Sequence, residues 1–130
     1  MKLSTKTLLI SILIVALSAC SLFEPKDKGL KELKAVEQKW QDGLQLAGAT
    51  SRIALSTPVS NLQSIKRELV GVEVGKCLQK AKTELDEHME LMIQAFVEFM
   101  SKDESSSNWN MEKGMEKLKT YRVSRDSCIK

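Results

Sequence analysis

The sequence predicts an all-α domain, a four-helix, up-and-down-like bundle. Three observations carry this. Apolar residues recur at steps of three and four along four separate segments, the period of one helix face. Between those segments fall clusters of Gly, Pro and Ser, where a chain turns. Aromatic residues are scarce, and charges of both signs are interspersed, as on an ordinary solvated helical surface.

The first helix is expected over residues 30–55. Leu33, Val36, Trp40, Leu44 and Ala47 fall on one face, and Lys31, Glu32, Lys34, Gln38, Lys39 and Gln41 fall mostly elsewhere. Beyond Gly43 the residues become small, through Ala47, Gly48, Ala49, Thr50 and Ser51. Leu46 and Ile53 lie on the side away from Trp40, so this half is apolar around most of its circumference and is expected to be buried between neighbours. A break near Gly48 is the competing reading. Ser56, Thr57 and Pro58 restart the helix, with Thr57 as cap and Pro58 in the first helical position. Val59, Leu62, Ile65 and Leu69 then form one stripe ending near Val70. Gly71 to Gly75 reads as a connection. The longest helix follows over residues 76–100, its core positions Leu78, Ala81, Leu85, Met89, Met92, Phe96 and Phe99. A polar, Ser-rich loop over residues 102–107 leads to a fourth helix over residues 108–125. Its expected stripe, Met111, Met115 and Leu118, runs on into Arg122 and is correspondingly thin.

Ahead of the bundle, Lys2 and Lys6 stand without an acid, residues 8–17 (LLISILIVAL) are apolar apart from Ser11, and small residues precede Cys20. That is the layout of a secretory signal. The apolar run is about half of the roughly 20 residues a membrane span needs. Leu17-Ser18-Ala19-Cys20 resembles the cleavage box of bacterial lipoproteins. The resemblance implies removal of residues 1–19, a diacylglycerol on the Cys20 thiol and acylation of the freed amine. Two or more chains anchor stably where one is marginal. Ser21 stands where an Asp would imply inner-membrane retention in that family. The expected address is therefore the cell envelope, at the outer membrane facing the periplasm; a Gram-positive surface also fits. Residues 20–29 form a tether, about nine residues long after Cys20, reaching at most ~30 Å. Residues 30–130 form the domain.

Removing residues 1–19 leaves 111 residues, enough for one modest core. It also leaves 18 basic against 17 acidic residues, a net charge of +1. No overall charge favours nucleic acid. With Cys20 assigned to lipid, Cys77 and Cys128 remain as an even pair in an oxidising compartment and are expected to bond. They lie at the start of the third helix and just past the end of the fourth, so antiparallel packing of those helices brings them to the same end.

Residues that could carry chemistry are few. His88 is the single histidine, four residues from Glu84, expected as an intrahelical pair at the edge of the core stripe. A metal site needs three or four converging ligands, and neither a second histidine nor a spare cysteine exists, so no cofactor or metal is expected. There is no Gly-x-Ser-x-Gly elbow and no glycine-rich phosphate loop. Surfaces remain as candidates. Val97, Trp109 and Met111 crowd the turn between the third and fourth helices, where Met and Trp suit an adaptable patch. Arg52 and Arg67 flank the joint of the first two helices and are placed to meet acids of a partner or phospholipid headgroups. That joint, residues 50–63, with Trp40 before it and Cys77-Leu78 after it, resembles small bacterial lipoproteins of uncharacterised role. The expected function is non-enzymatic: a lipoprotein that binds an envelope protein or supports its assembly. The alternatives are a carrier or sensor with a small apolar ligand between Met-rich helices, and a phage-exclusion or immunity lipoprotein.

Overall fold

A computed structural model describes residues 25–130. The signal segment, Cys20 and the first half of the tether lie outside the described residues. Four helices, α1 (Leu30–Gly48), α2 (Ser56–Val70), α3 (Gln79–Met100) and α4 (Glu104–Ser127), pack as an all-α bundle. Short 3-10 turns at Arg52–Ala54 and Lys76–Leu78 precede α2 and α3. Successive helices run antiparallel. Lys39 pairs with Glu68 across α1 and α2, Lys66 with Asp86 and Glu90 across α2 and α3, and Lys117 with Glu87 across α3 and α4.

The core follows the predicted stripes of the first three helices. Leu33, Val36, Trp40 and Ala47 of α1 meet Val59, Leu62, Ile65 and Leu69 of α2, with Ala81, Leu85, Met89, Met92 and Phe96 of α3. Burying each of the larger side chains contributes about 1.5–3 kcal/mol.

The chain enters α1 through a turn at Gly29, whose φ is +78°. A Cβ at Gly29 would sit 2.0 Å from the Glu73 carbonyl oxygen, so only glycine allows this approach. Beside it, Gly75 N–H donates to the Lys28 carbonyl at 3.0 Å. The start of α1 is thereby fixed to the connection between α2 and α3.

Four boundaries or faces differ from expectation. First, α1 stops at Gly48, the competing reading, because Thr50 Oγ1 donates to the Leu46 carbonyl at 2.7 Å and Ser51 turns extended; hydroxyl side chains here compete with the helical ladder. The 3-10 turn then carries Ile53 outward, so Leu46 and Ile53 are 57% and 95% exposed rather than buried. Second, Thr57 does not cap α2. The helix begins at Ser56 behind the buried Leu55, whose carbonyl accepts from Val59 N–H. Pro58 is then the third helical residue, where the backbone N–H would lack an intrahelical partner anyway.

Third, α4 begins four residues earlier than expected. Lys102 adopts a left-handed φ of 66°, Lys102 N–H donates to Phe99 and Asp103 N–H to Glu98, the paired closure of a Schellman motif. Asp103 then caps the next helix by accepting from Ser106 N–H at 3.1 Å. The Ser-rich loop is in fact the first turn of α4. Fourth, the inner face of α4 is Ser107, Asn110, Gly114, Leu118 and Tyr121, while Met111 and Met115 are exposed.

Candidate functional site

Small and polar groups dominate the inner face of α4, and each has a partner. Ser107 Oγ donates to the Ala95 carbonyl at 2.8 Å. Asn110 Nδ2 donates to Glu98 at 2.7 Å. A Cβ at Gly114 would come to 2.9 Å from Met92 Sδ and 3.2 Å from Met92 Cγ, so a larger residue here would have to push the Met92 side chain aside. As it stands, α4 lies close against α3, with the Gly114 carbonyl 2.7 Å from His88 Nδ1.

His88 is fully buried rather than at the edge of the stripe. Trp40 Nε1–H, which can only donate, reaches His88 Nε2 at 2.9 Å. Nε2 is therefore the acceptor, and Nδ1 carries the proton that it donates to Gly114. The ring is neutral and fixed in one tautomer. Burial pulls its pKa below the ordinary imidazole value; the Arg122 charge acts in the same direction, against the bond to Gly114 and the Glu37 charge. Both nitrogens are engaged, so His88 has neither a lone pair for a metal nor a base for a substrate. The expected pairing with Glu84 does not form: the charged partner of Glu84 is Lys80, at 3.9 Å. Among the described residues no group of three or more His, Cys, Asp and Glu side chains converges on a metal position.

A second polar cluster joins α1 to α4. Glu37 Oε2 accepts from Tyr121 Oη and from Arg125 Nη1, each at 2.7 Å. Glu37 and Tyr121 are buried. Burial, with the bond to Glu37, pushes the Tyr121 hydroxyl far above the usual phenol range. At the same end Cys77 and Cys128 form a disulfide, with Cα atoms 5.8 Å apart. It ties the start of α3 to the end of α4 as the antiparallel layout requires.

The predicted surface residues fall in two regions, with Val97, Trp109 and Met111 near the turn between α3 and α4, and Arg52 before α2 and Arg67 within it. Trp109 and Met111 are both exposed, but side chains two apart on a helix do not face each other. Val97, 42% exposed, projects from α3. Arg52 is engaged within the chain: its guanidinium lies 4.2 Å from the centre of the Phe99 ring and donates to Glu104 at 2.9 Å. Arg67 donates to Ser64 in the same helix. It lies about 16 Å along α2 from the helix start, so it does not share a site with Arg52. What the Arg52 contacts do achieve is to hold the 3-10 turn against the α3–α4 end, with Ile53 projecting beside it.

Sequence reasoning missed Glu37, Tyr121 and Arg125. A signal existed: Glu37 interrupts the apolar row between Val36 and Trp40, and Tyr121 and Arg125 stand four apart on α4. Ile53 falls within the predicted joint of residues 50–63 but was expected to be buried, and the break at Gly48 turns it outward. No helix among the described residues is long and apolar enough to cross a membrane. Compared with known proteins, the chain matches no family model, no curated protein and no solved structure.

Proposed function

We propose that this chain is an envelope lipoprotein, anchored through lipid on Cys20, that works by binding another envelope protein rather than by catalysis. The observation that carries the reading is the position of Ile53. It is the most exposed large apolar side chain among the described residues, at 95%, and it sits at the end of the bundle opposite the tether. The nineteen residues of α1 separate the two ends by about 28 Å. Because residues 25–29 turn back onto the bundle, the tether reaches at most ~17 Å from Cys20 to Pro25, and the bundle still presents Ile53 and Leu46 at the end away from the anchoring membrane. An isoleucine held out by a pinned turn has no role in this chain's own core.

Catalysis is the weaker reading because the single histidine is committed to Trp40 and Gly114. A carrier is weaker as well. Met89 and Met92 are packed in the core and Met111 and Met115 are exposed, so these four do not face a common chamber.

A photo-crosslinking residue at position 53 in living cells tests the proposal, with one at position 123 near the tether as control. One dominant protein adduct is expected from position 53 and is expected to be missing from position 123. No adduct, or the same adducts from both, would overturn the reading. Labelling with palmitate tests the anchor separately: the native chain should be marked and a Cys20→Ser chain should not.

A further inference from the structure

We infer that the tether end of the bundle is a docking face for an anionic phospholipid surface. The inference extends the proposed anchoring through Cys20, which supplies the nearby membrane. Three links define the end: the Gly75–Lys28 backbone bond, Lys82 Nζ donating to the Val70 and Val72 carbonyls, and the Cys77–Cys128 disulfide. They collect residues 25–31, 67–83 and 120–130 in one place. Those segments hold ten Lys or Arg against four Asp or Glu. At the opposite end, residues 44–60 and 94–110 hold two against three. A nearly neutral protein is thus strongly polarised along its long axis.

Ion pairs with residues outside these segments reduce this excess without removing it: Arg125 is matched by Glu37 and Lys80 by Glu84, while Glu68 is matched by Lys39. Lys31, Lys76, Lys80, Arg122 and Lys130 are exposed. Apolar side chains are interleaved with them: Val70, Val123 beside Arg122, and Ile129 beside Lys130 are all exposed. Long basic side chains flanking short aliphatic ones suit a headgroup boundary, where cations reach phosphates while the aliphatic groups enter the acyl margin. Attraction of basic residues to an anionic leaflet acts within about one Debye length, ~8–10 Å at ordinary salt. The short tether, at most ~17 Å from Cys20 to Pro25, keeps this end near the membrane and allows that approach. A single-stranded nucleic acid would call for exposed aromatic rings to stack bases. At this end Tyr121 is buried, and the exposed Trp109 lies near the start of α4, at the other end.

The test uses the full chain as purified from cells, reconstituted in lipid nanodiscs. One set contains phosphatidylglycerol and phosphatidylcholine, the other phosphatidylcholine alone, each with a trace of headgroup-nitroxide lipid. Methyl resonances of Val70, Val123, Ile129 and Ile53 are followed by nuclear magnetic resonance. In anionic discs the first three should broaden several-fold more than Ile53. The difference should vanish in phosphatidylcholine discs, at ~1 M salt where the Debye length is ~3 Å, and in a Lys76→Glu, Arg122→Glu, Lys130→Glu chain whose Ile53 resonance is unmoved. Equal broadening of Ile53 and Val123, or selective broadening that survives the charge reversal, would overturn the inference. So would equal perturbation of the same three resonances by a short DNA duplex in place of lipid. Intact mass separates the two readings. Selective broadening of a chain without lipid on Cys20 sinks only the anchoring, and a lipidated chain without selective broadening sinks only the docking face.

Discussion

Lowering the pH from 6.5 to 5 should weaken this fold through one buried ring. In the folded chain His88 accepts from Trp40 and donates to Gly114. A second proton on Nε2 would face the Trp40 N–H donor to donor, inside the core. Burial therefore holds the folded-state pKa below the unfolded value of 6.5. The stability this contributes is complete above pH 6.5 and is lost as pH falls, because the unfolded chain takes up a proton that the folded chain refuses. One proton corresponds to at most about 1.4 kcal/mol per pH unit, hence up to about 2 kcal/mol across this interval. Unperturbed carboxylates titrate at about 4, below this interval, and Asp103 is held lower still by its bonds to Ser106. Urea unfolding at half-unit pH steps, followed by tryptophan fluorescence, measures the slope. The control is His88→Gln, which offers a donor for Gly114 and an acceptor for Trp40 but no titration. Native protein should lose stability steadily below pH 6.5 while His88→Gln stays flat. A flat native profile, or equal slopes in both chains, would refute the account.

Two other perturbations bear on how α4 is held. Reducing the disulfide opens a loop with a sequence separation of 51, worth about 4 kcal/mol in the chain-entropy model. For a domain of this size that is about 15–25 °C in Tm, and hydrogen exchange should speed first at the end of α4; an unchanged melt with reductant would contradict this. Glu37→Ala should cost about 3–5 kcal/mol, since Arg125 and Tyr121 lose their shared acceptor. Tyr121→Phe should cost only about 1 kcal/mol, and chemical denaturation resolves the two.

The first three helices were legible because their burial is apolar and periodic. Leu33, Val36 and Trp40, the α2 stripe from Val59 to Leu69, and the α3 stripe from Leu78 to Phe96 are all buried. The fourth helix was legible in existence and direction, but in face only at Leu118. Met111 and Met115 looked like its core because hydrophobicity was the only guide, yet Gly114, Asn110 and Ser107 lie inward. Their burial is decided by partners on other helices, at Met92, Glu98 and Ala95, which no local pattern encodes. The same holds for His88. Its spacing from Glu84 suggested a local pair, whereas its partners lie 48 and 26 residues away. Asp103 as a cap was hidden by Lys102, a residue that seldom takes the left-handed position usually given to glycine.

These distant polar partners also explain how α4 finds one register. A purely apolar stripe would tolerate a slip of four residues, about 6 Å along the helix, with one aliphatic side chain replacing another. Here the same slip would bring Asn110 or Leu118 into the space that Gly114 leaves beside Met92 and His88. It would put Lys117 or Arg125 where Tyr121 meets Glu37, and Ser124 where Cys128 meets Cys77. No shifted alignment serves all three places, and each failure costs a side chain its space, the Tyr121 bond or the disulfide. The bundle thus draws its fold class from apolar periodicity in α1 to α3. It draws the placement of α4, and with it the cross-linked basic end beside the tether, from specific contacts that only the native alignment completes.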